Sequence, residues 1–300
     1  MDTSPDSQAL RRNRRRAVLL VLGAAAVFSI VAAFVKGLQG AIPLAQVVFC
    51  RNLFAIPALL PLLLAHGGVR VLRTGRPGLH AARLVAGLMG MFGAFYGYAH
   101  LPLATVSALG FTMPLFLTLL SVPLLGERVG PRRSAAVALG FAGVLLMTNP
   151  FGIGHPDLFA MAMVLMGALG WALAMITIRR MGSAGESNVA IVLWFAFGSA
   201  IVSGLACLPA WVWPDAWQWA LLIGTGVISA LAQIMMTEGY RRGEPTLLAP
   251  FEYSAILWTT LTGMLIWAEL PDHWDFAGIA ILVGAGLYIW RREVELGVRR

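Results

Sequence analysis

The chain has 300 residues, of which 59% are hydrophobic and 12% charged, and its mean hydropathy is +0.78. Because a water-soluble domain normally carries about 25% charged residues, this composition excludes an ordinary soluble domain. The formal net charge is +8, but no soluble segment carries a basic stripe with interleaved aromatic residues, which argues against nucleic acid as a partner.

The apolar residues form long blocks, each sufficient to cross a ~30 Å hydrocarbon core as a helix at ~1.5 Å per residue. The first block follows the basic run Arg11–Arg16 and is too long for a typical signal peptide, so we interpret it as a retained helix. Charged residues and Pro/Gly breakers set the limits of the others. We predict ten spans, at 17–36, 42–65, 79–100, 103–124, 133–150, 157–178, 188–210, 217–239, 246–268 and 274–290.

The third and fourth spans are separated by the weakest boundary. No Asp, Glu, Lys or Arg occurs between Arg83 and Glu127, a stretch long enough to cross a bilayer twice. His100-Leu101-Pro102 supplies the turn between the two crossings.

The basic residues give the expected orientation. With ten spans, 20 of the 22 Lys and Arg residues fall on one side, Arg83 among them, and only Lys36 and Arg51 do not. Lys and Arg concentrate in cytoplasmic segments, so we expect the tails 1–16 and 291–300 to be cytoplasmic, in a bacterial inner membrane. Four tryptophans then lie at the outer face: Trp211, Trp213, Trp217 and Trp219.

The two halves of the chain resemble one another at a nearly constant offset. Three pairs are 142 residues apart: Tyr98 and Tyr240, Thr118 and Thr260, Glu127 and Glu269. Phe28 and Trp171 pair at a slightly shifted offset. Five helices per half would place the second half upside down, so we predict an all-α integral membrane fold of two inverted five-helix repeats, 17–150 and 157–290. A central cavity between the repeats is the expected site.

Several segments resemble the paired EamA modules of the drug/metabolite transporter superfamily. They are the Tyr98-Ala-His-Leu-Pro-Leu-Ala-Thr run, Leu-Leu-Gly-Glu127-Arg, Tyr240-Arg-Arg-Gly-Glu-Pro-Thr with its continuation Pro250-Phe-Glu252-Tyr253, and Ala268-Glu269. The resemblance covers nearly the whole chain after residue 16. It implies a ten-helix carrier of metabolites, in a family with aromatic amino-acid exporters of the YddG type as one branch and S-adenosylmethionine carriers as another.

Arg51 lies deep in the second span, where a charge is expensive and by default functional. Its guanidinium could hold a substrate carboxylate. Alternatively it is structural and bonds backbone carbonyls or a carboxylate. Glu252 has the same two interpretations, as a substrate or proton partner or as a fixed structural partner, and Gln233 is a weaker candidate.

Five aromatic residues within spans are candidates for the walls of an apolar cavity that stacks a flat substrate: Phe28, Tyr96, Trp171, Tyr253 and Trp258. Each could instead face lipid or pack between helices. The glycines Gly87, Gly90, Gly93 and Gly97 are expected to let the third helix approach its neighbours closely.

No enzyme motif occurs, and nothing indicates a cofactor or a metal. The leading hypothesis is a secondary carrier of a small organic metabolite, and the alternatives are a passive channel and a membrane-embedded enzyme. A single Arg, a single Glu and aromatic walls favour a zwitterion with a hydrophobic body, which predicts export of aromatic or other large apolar amino acids. The alternatives are S-adenosylmethionine and amphiphilic drugs. The sequence does not predict an oligomeric state.

Overall fold

A computed structural model of the chain describes residues 5–38, 40–125, 157–243 and 254–269, and isolated positions between 135 and 142, at 248 and 251, and between 273 and 291. All regular secondary structure in the four continuous ranges is helical. These ranges contain nine α-helices: α1 Pro5–Gly37, α2 Leu44–Ala65, α3 Pro77–His100, α4 Leu103–Gly110, α5 Met113–Leu125, α6 Leu158–Ser183, α7 Asn188–Cys207, α8 Ala216–Arg242 and α9 Ser254–Trp267. Short 3-10 turns at Gly68–Leu72 and Leu208–Ala210 follow α2 and α7.

Six of the described helices are long and apolar enough to cross a membrane. They are α1 from Arg15 onwards, α2, α3, α6, α7 with its 3-10 extension, and α8. Each coincides with one predicted span, the first to third and the sixth to eighth. Predicted spans five and ten, at 133–150 and 274–290, lie outside the described residues apart from isolated positions.

Local sequence sets where several of these helices begin. The side chains of Asp157, Ser187 and Asp215 accept hydrogen bonds from the free backbone N–H groups of the first turns of α6, α7 and α8, at 2.9, 3.0 and 2.8 Å. Gln218 completes a capping box on α8 by accepting from the backbone N–H of Asp215. Pro77 occupies the first turn of α3, where no N–H donor is needed.

The fourth predicted span contains two helices instead of one. The segment 103–124 is broken into α4 and α5 at Phe111 and Thr112, where backbone bonds tighten to i→i−3, from Phe111 to Ala108 and from Thr112 to Leu109. The sequence explains the break, because Pro114 has no N–H to donate to the carbonyl of Gly110 four residues earlier. The Leu109 carbonyl accepts from both the backbone N–H of Thr112, at 3.1 Å, and the Thr112 hydroxyl, at 2.7 Å.

The long helices of the two halves pack in antiparallel pairs. Along α1 and α8, Gly239 lies against Ala17 and Val21, whereas Gly224 lies against Phe34. The ends of α3 and α6 pair in the same reversed sense, since Gly97 contacts Val164 and Gly170 contacts Ala86. Among the described helices, the α1–α8 and α3–α6 packings are the most extensive, and α2 packs against α7.

The helix pairs in contact stay the same when the helices of one half are replaced by those of the other half. Replacing α1, α2 and α3 by α6, α7 and α8 converts the α1–α8 pair into the α6–α3 pair and maps the α2–α7 pair onto itself. The contacts of α1 with α9 likewise match those of α6 with α4 and α5. Because both exchanged pairs are antiparallel, the described helices of the second half run opposite to those of the first.

The two ends of the bundle differ in charge. The Lys36 end, where α1 finishes and α2 and α8 begin, also carries the Trp211–Trp219 segment. Among the described residues of 15–243, Lys36 is the basic side chain at this end. The opposite end, called the Arg241 end, holds the other arginines outside the helix interior: Arg15, Arg16, Arg70, Arg73, Arg76, Arg179, Arg180, Arg241 and Arg242.

Glycines bring α3 and α6 into close contact beside the central space, as the glycine pattern of the third span predicts. A Cβ atom on Gly93 would meet the Met163 carbonyl oxygen and would lie 2.6 Å from the Cα of Gly167. A Cβ on Gly170 would lie 2.7 Å from the backbone nitrogen of Gly90. These are backbone contacts, so the two helices could not approach as closely with larger residues.

Candidate functional site

A cavity of about 180 Å³ lies between the two halves. Enclosed space of ~10–15 Å³ on the same measure holds one water molecule, so this cavity can take a small organic molecule. The lining is mostly apolar and is contributed by α1, α2, α3, α4, α6, α7, α8 and the first turn of α9. Both halves therefore form its walls.

Arg51 lines the cavity from α2 and is 5% exposed. One of its terminal nitrogens, Nη1, donates to the Asn52 side-chain oxygen at 3.1 Å and contacts the Met91 sulfur at 3.7 Å. Asn52 is itself held by a 2.7 Å bond from its amide nitrogen to the Val48 carbonyl. The guanidinium is thus positioned by neutral groups.

Arg83 also lines the cavity, so Arg51 is not the only arginine buried within a predicted span. Arg83 is 2% exposed, and its Cζ lies 4.0 Å from the centroid of the Phe195 ring. Its Cα is in the second turn of α3, but Nη1 reaches the position that a Cβ on Gly87 would occupy. The side chain therefore runs along α3 towards the membrane interior, instead of back towards the near interface.

Two local features of the sequence indicate that the Arg83 side chain lies inside the membrane, although the count of Lys and Arg placed it with the cytoplasmic residues. Pro77 and the break before it start the third helix six residues before Arg83, which places Arg83 about 9 Å along the helix axis at ~1.5 Å per residue. Gly87, one turn later on the same face, leaves room for a long side chain. Phe195 comes from the other half, and its role could not be predicted from local sequence.

The two guanidinium groups share Phe195 as a neighbour. Since the Cζ atoms of Arg51 and Arg83 lie 6.0 and 4.0 Å from the same ring centroid, they are at most 10 Å apart. Among the described residues no carboxylate pairs with either arginine. Glu186 is a buried acid that contacts the first turn of α3, but it is bonded to Thr74 at 2.6 Å and to His80 at 3.3 Å.

Aromatic side chains form the wall beside the arginines. Phe28 and Trp171, which occupy matching positions of the repeat, meet edge to face with ring centroids 5.9 Å apart. Tyr98 and Phe95 of α3 also line the cavity. Aromatic rings that line a cavity can stack a flat group.

Gln233 lines the cavity from α8 and is 3% exposed. Its amide nitrogen donates to the Thr237 hydroxyl at 3.2 Å. A small neighbouring void is lined by Gln233 together with Arg51 and Asn52. The structure thus brings together four of the predicted site residues, Arg51, Gln233, Phe28 and Trp171.

The structure places two other candidates away from the cavity. Tyr96 points to the opposite side of α3, where its ring stacks on His100 at 4.0 Å and meets Phe159 edge to face. The cavity face of α3 contains Ala94 and Tyr98, and a residue two positions away on a helix faces elsewhere. Trp258 is 45% exposed on the outside of α9. Glu252 and Tyr253 lie outside the described residues.

The Lys36 end of the bundle is tied by an ion pair that the sequence did not predict. Lys36 Nζ lies 2.7 Å from Glu269 Oε1 and donates to the Leu101 carbonyl at 3.0 Å. Glu269 Oε2 accepts from the backbone N–H of Leu103 at 3.2 Å. The ends of α1 and α9 and the α3–α4 turn are thereby joined. Glu127, the repeat partner of Glu269, lies outside the described residues.

Comparison with known proteins decides the family. The model of the EamA-like transporter family matches residues 15–149 and again residues 158–291. This chain belongs to the EamA-like transporter family. The predicted membership of the drug/metabolite transporter superfamily is thereby confirmed.

Relatives within this family have different named substrates. A pseudopaline exporter, CntI, of Pseudomonas aeruginosa is 32% identical over 92% of this chain and 96% of its own length. A riboflavin transporter of Brucella anthropi is 30% identical over 86% of this chain and 91% of its own. An S-adenosylmethionine uptake transporter of Rickettsia bellii is 27% identical over 81% and 82%.

A solved crystal structure that is 23% identical covers 95% of this chain and 99% of its own with a TM-score of 0.69, which shows the shared fold. Together, the family and the six long apolar helices make this chain a multi-pass membrane protein and a secondary transporter of small metabolites. These findings are consistent with the prediction that it is not an enzyme.

Proposed function

We propose that this transporter exports small carboxylate-bearing metabolites by alternating access, with amino acids that have aromatic or other large apolar side chains as substrates. One observation carries the proposal. A buried arginine, Arg51, faces the central cavity with no carboxylate partner among the described residues, beside an aromatic wall. A charge buried this far is expensive unless it is neutralised, and a substrate carboxylate would neutralise it.

The cavity offers a group for each part of such a substrate. The free nitrogens of Arg51 can donate two parallel hydrogen bonds to a carboxylate. Phe28, Trp171 and Tyr98 would contact an aromatic or aliphatic side chain. Two acceptors are proposed for the ammonium group, the Gln233 side-chain oxygen and the Glu252 carboxylate.

S-adenosylmethionine is the second candidate substrate, because a relative that is 27% identical carries it. Its amino-acid carboxylate would also meet Arg51. Its sulfonium cation, however, would enter a cavity in which two arginines are already buried. The same repulsion disfavours amphiphilic cationic drugs, so amino acids remain the preferred class.

For the membrane arrangement we propose ten helices, five in each half, with both termini in the cytoplasm of a bacterial cell. Support comes from the two successive matches to the family model and from the opposite directions of the described helices of the two halves. The arginines concentrated at the Arg241 end favour the cytoplasm on that side. Inverted halves of this kind can exchange conformations and so open a shared site to each side in turn.

The proposal is tested by uptake into proteoliposomes that contain the purified protein. The panel consists of labelled phenylalanine, tryptophan, leucine, S-adenosylmethionine and a lipophilic cation, each with excess unlabelled competitor. Saturable amino-acid flux that unlabelled amino acids inhibit supports the proposal. Flux of the cation alone, unaffected by amino acids, contradicts it.

A further inference from the structure

Arg83 is a second buried cation that the binding of one carboxylate leaves without a partner. Among the described residues, its Nε and Nη1 atoms are buried and donate to no acceptor. Removing such a group from water is costly. Hydrogen bonds offset this cost only if each N–H donor of the guanidinium has an acceptor. The fold nevertheless keeps the guanidinium inside.

The position of Arg83 is built by specific neighbours. The absence of a side chain at Gly87 leaves the space that Nη1 and the edge of Phe195 occupy. The Phe195 ring then covers the guanidinium at 4.0 Å from Cζ to the ring centroid. A helical side chain normally leans towards the helix N-terminus, which for Arg83 is the nearer interface. Instead, it is directed one turn deeper, to the cavity that Arg51 lines.

One carboxylate satisfies one guanidinium fork, so it cannot neutralise both arginines. The two like charges repel each other across the cavity. A ligand with two negative groups removes this repulsion and supplies acceptors to both forks. A cationic group of the ligand is repelled by Arg83, and a neutral acceptor can bond its N–H groups but leaves its charge uncompensated.

We propose that Arg83 is a specificity-determining residue and that, among substrates whose carboxylate meets Arg51, those with a second negative group for Arg83 bind best. The inference rests on the proposed function, because it assumes that the cavity holds the transported molecule. Two carboxylates on one apolar or aromatic body, or a phosphate monoester on such a body, provide this chemistry.

Matched competitors separate charge from size. Each compound is tested in proteoliposomes as a competitor of labelled phenylalanine. One pair is N-(carboxymethyl)phenylalanine and its single-carboxylate match, N-methylphenylalanine. The other pair is O-phosphotyrosine and tyrosine. We expect a doubly anionic compound to compete roughly tenfold or more better than its match in the wild type. In the Arg83→Gln variant this advantage should vanish, so that each doubly anionic compound competes no better than its single-anion match. The pair that shows the advantage identifies the dicarboxylate or the phosphate source.

Binding to the purified protein in detergent, measured as the ligand-induced rise in thermal unfolding temperature, tests the inference without relying on amino-acid transport. A rise with either doubly anionic compound in the wild type, lost in Arg83→Gln and reduced in Arg83→Lys, supports it even if phenylalanine is not carried. Absence of any Arg83-dependent rise or competitive advantage overturns it, even if phenylalanine is transported.

The ligand-free protein separates this role from a purely structural one. If Arg83 only supported the fold through Phe195, Arg83→Gln would lower the unfolding temperature without ligand. Because no carboxylate within the described ranges compensates its buried charge, we expect its removal to leave that temperature unchanged or raised. Lowered ligand-free stability together with an unchanged preference between the matched compounds would overturn the inference.

Discussion

Lys36 and Glu269 are 233 positions apart in the sequence, yet Lys36 Nζ lies 2.7 Å from Glu269 Oε1 at the Lys36 end of the bundle. Their side chains are 15% and 24% exposed, and both also bond the backbone of the α3–α4 turn. The pair joins α1 of the first half to the end of α9 in the second. Separation of the halves at this end must therefore break it.

Breaking the pair should increase access to the cavity from the Lys36 end. In a background with Cys50 and Cys207 replaced by alanine, a cysteine at Ser107 reports access through its reaction with an impermeant thiol reagent. A partly exposed ion pair contributes ~1 kcal/mol or less, so Lys36→Gln should raise the labelling rate up to roughly fivefold. The reversed pair, Lys36→Glu with Glu269→Lys, should bring the labelling rate part of the way back to that of the unbroken pair. An unchanged rate in Lys36→Gln would show that the pair does not close this end.

The aromatic wall should contribute to substrate affinity. Trp171→Ala removes the ring that meets Phe28, and the lost stacking should raise the half-saturation concentration for phenylalanine by roughly fivefold, which corresponds to ~1 kcal/mol. Trp258→Ala is the matched control, because Trp258 is exposed on the outer side of α9. Concentration-dependent uptake into proteoliposomes measures both. Equal effects of the two substitutions would remove Trp171 from the site.

The contact between α3 and α6 should be intolerant of a single methyl group at Gly93. Gly93→Ala would place a Cβ against the backbone of Met163 and Gly167, which cannot move without separating the helices, and we expect a loss of ~1–3 kcal/mol. Gly90→Ala is the control on the same helix, since its Cβ would meet its nearest neighbour at an ordinary 3.4 Å. Thermal unfolding in detergent compares the variants. A Gly93→Ala protein as stable as Gly90→Ala would contradict this packing.

The orientation should be visible from outside the cell. In the same background without native cysteines, a cysteine at the exposed Gly75 should be shielded from an impermeant thiol reagent in intact cells. A cysteine at the exposed Asp215 should react, because the Lys36 end faces outwards in the proposed arrangement. The reverse pattern would invert the orientation and the assignment of the two ends.

Much of the helical framework could be predicted because it depends on local composition. Long apolar blocks bounded by charges located α1, α2, α3, α6, α7 and α8, and the spacing of Phe28 and Trp171 anticipated two side chains that meet at the cavity. The break between α4 and α5 also has a local cause, because Pro114 lacks the N–H that a continuous helix would donate to the Gly110 carbonyl.

The residues that were missed depend on distant neighbours. Whether Arg83 leans to the interface or to the cavity is decided by Gly87 and by Phe195, which lies 112 positions later in the chain. The local sequence does not distinguish Tyr96 from Tyr98, because both are surrounded by similar apolar residues. The packing of α3 against α6 determines that Tyr98 lines the cavity. Counting positive charges along the sequence therefore could not show that the Arg83 side chain lines the cavity.

Counterflow of labelled phenylalanine in proteoliposomes tests the central claim most directly, because it requires a saturable site that is exposed to each side in turn. We predict that unlabelled phenylalanine inside the vesicles accelerates entry of label, and that Arg51→Ala abolishes this effect. Arg51→Lys should restore it only partly, since an ammonium lacks the planar fork, and Trp258→Ala should leave it unchanged. Flux without saturation or counterflow, or full counterflow in Arg51→Ala, would contradict the account.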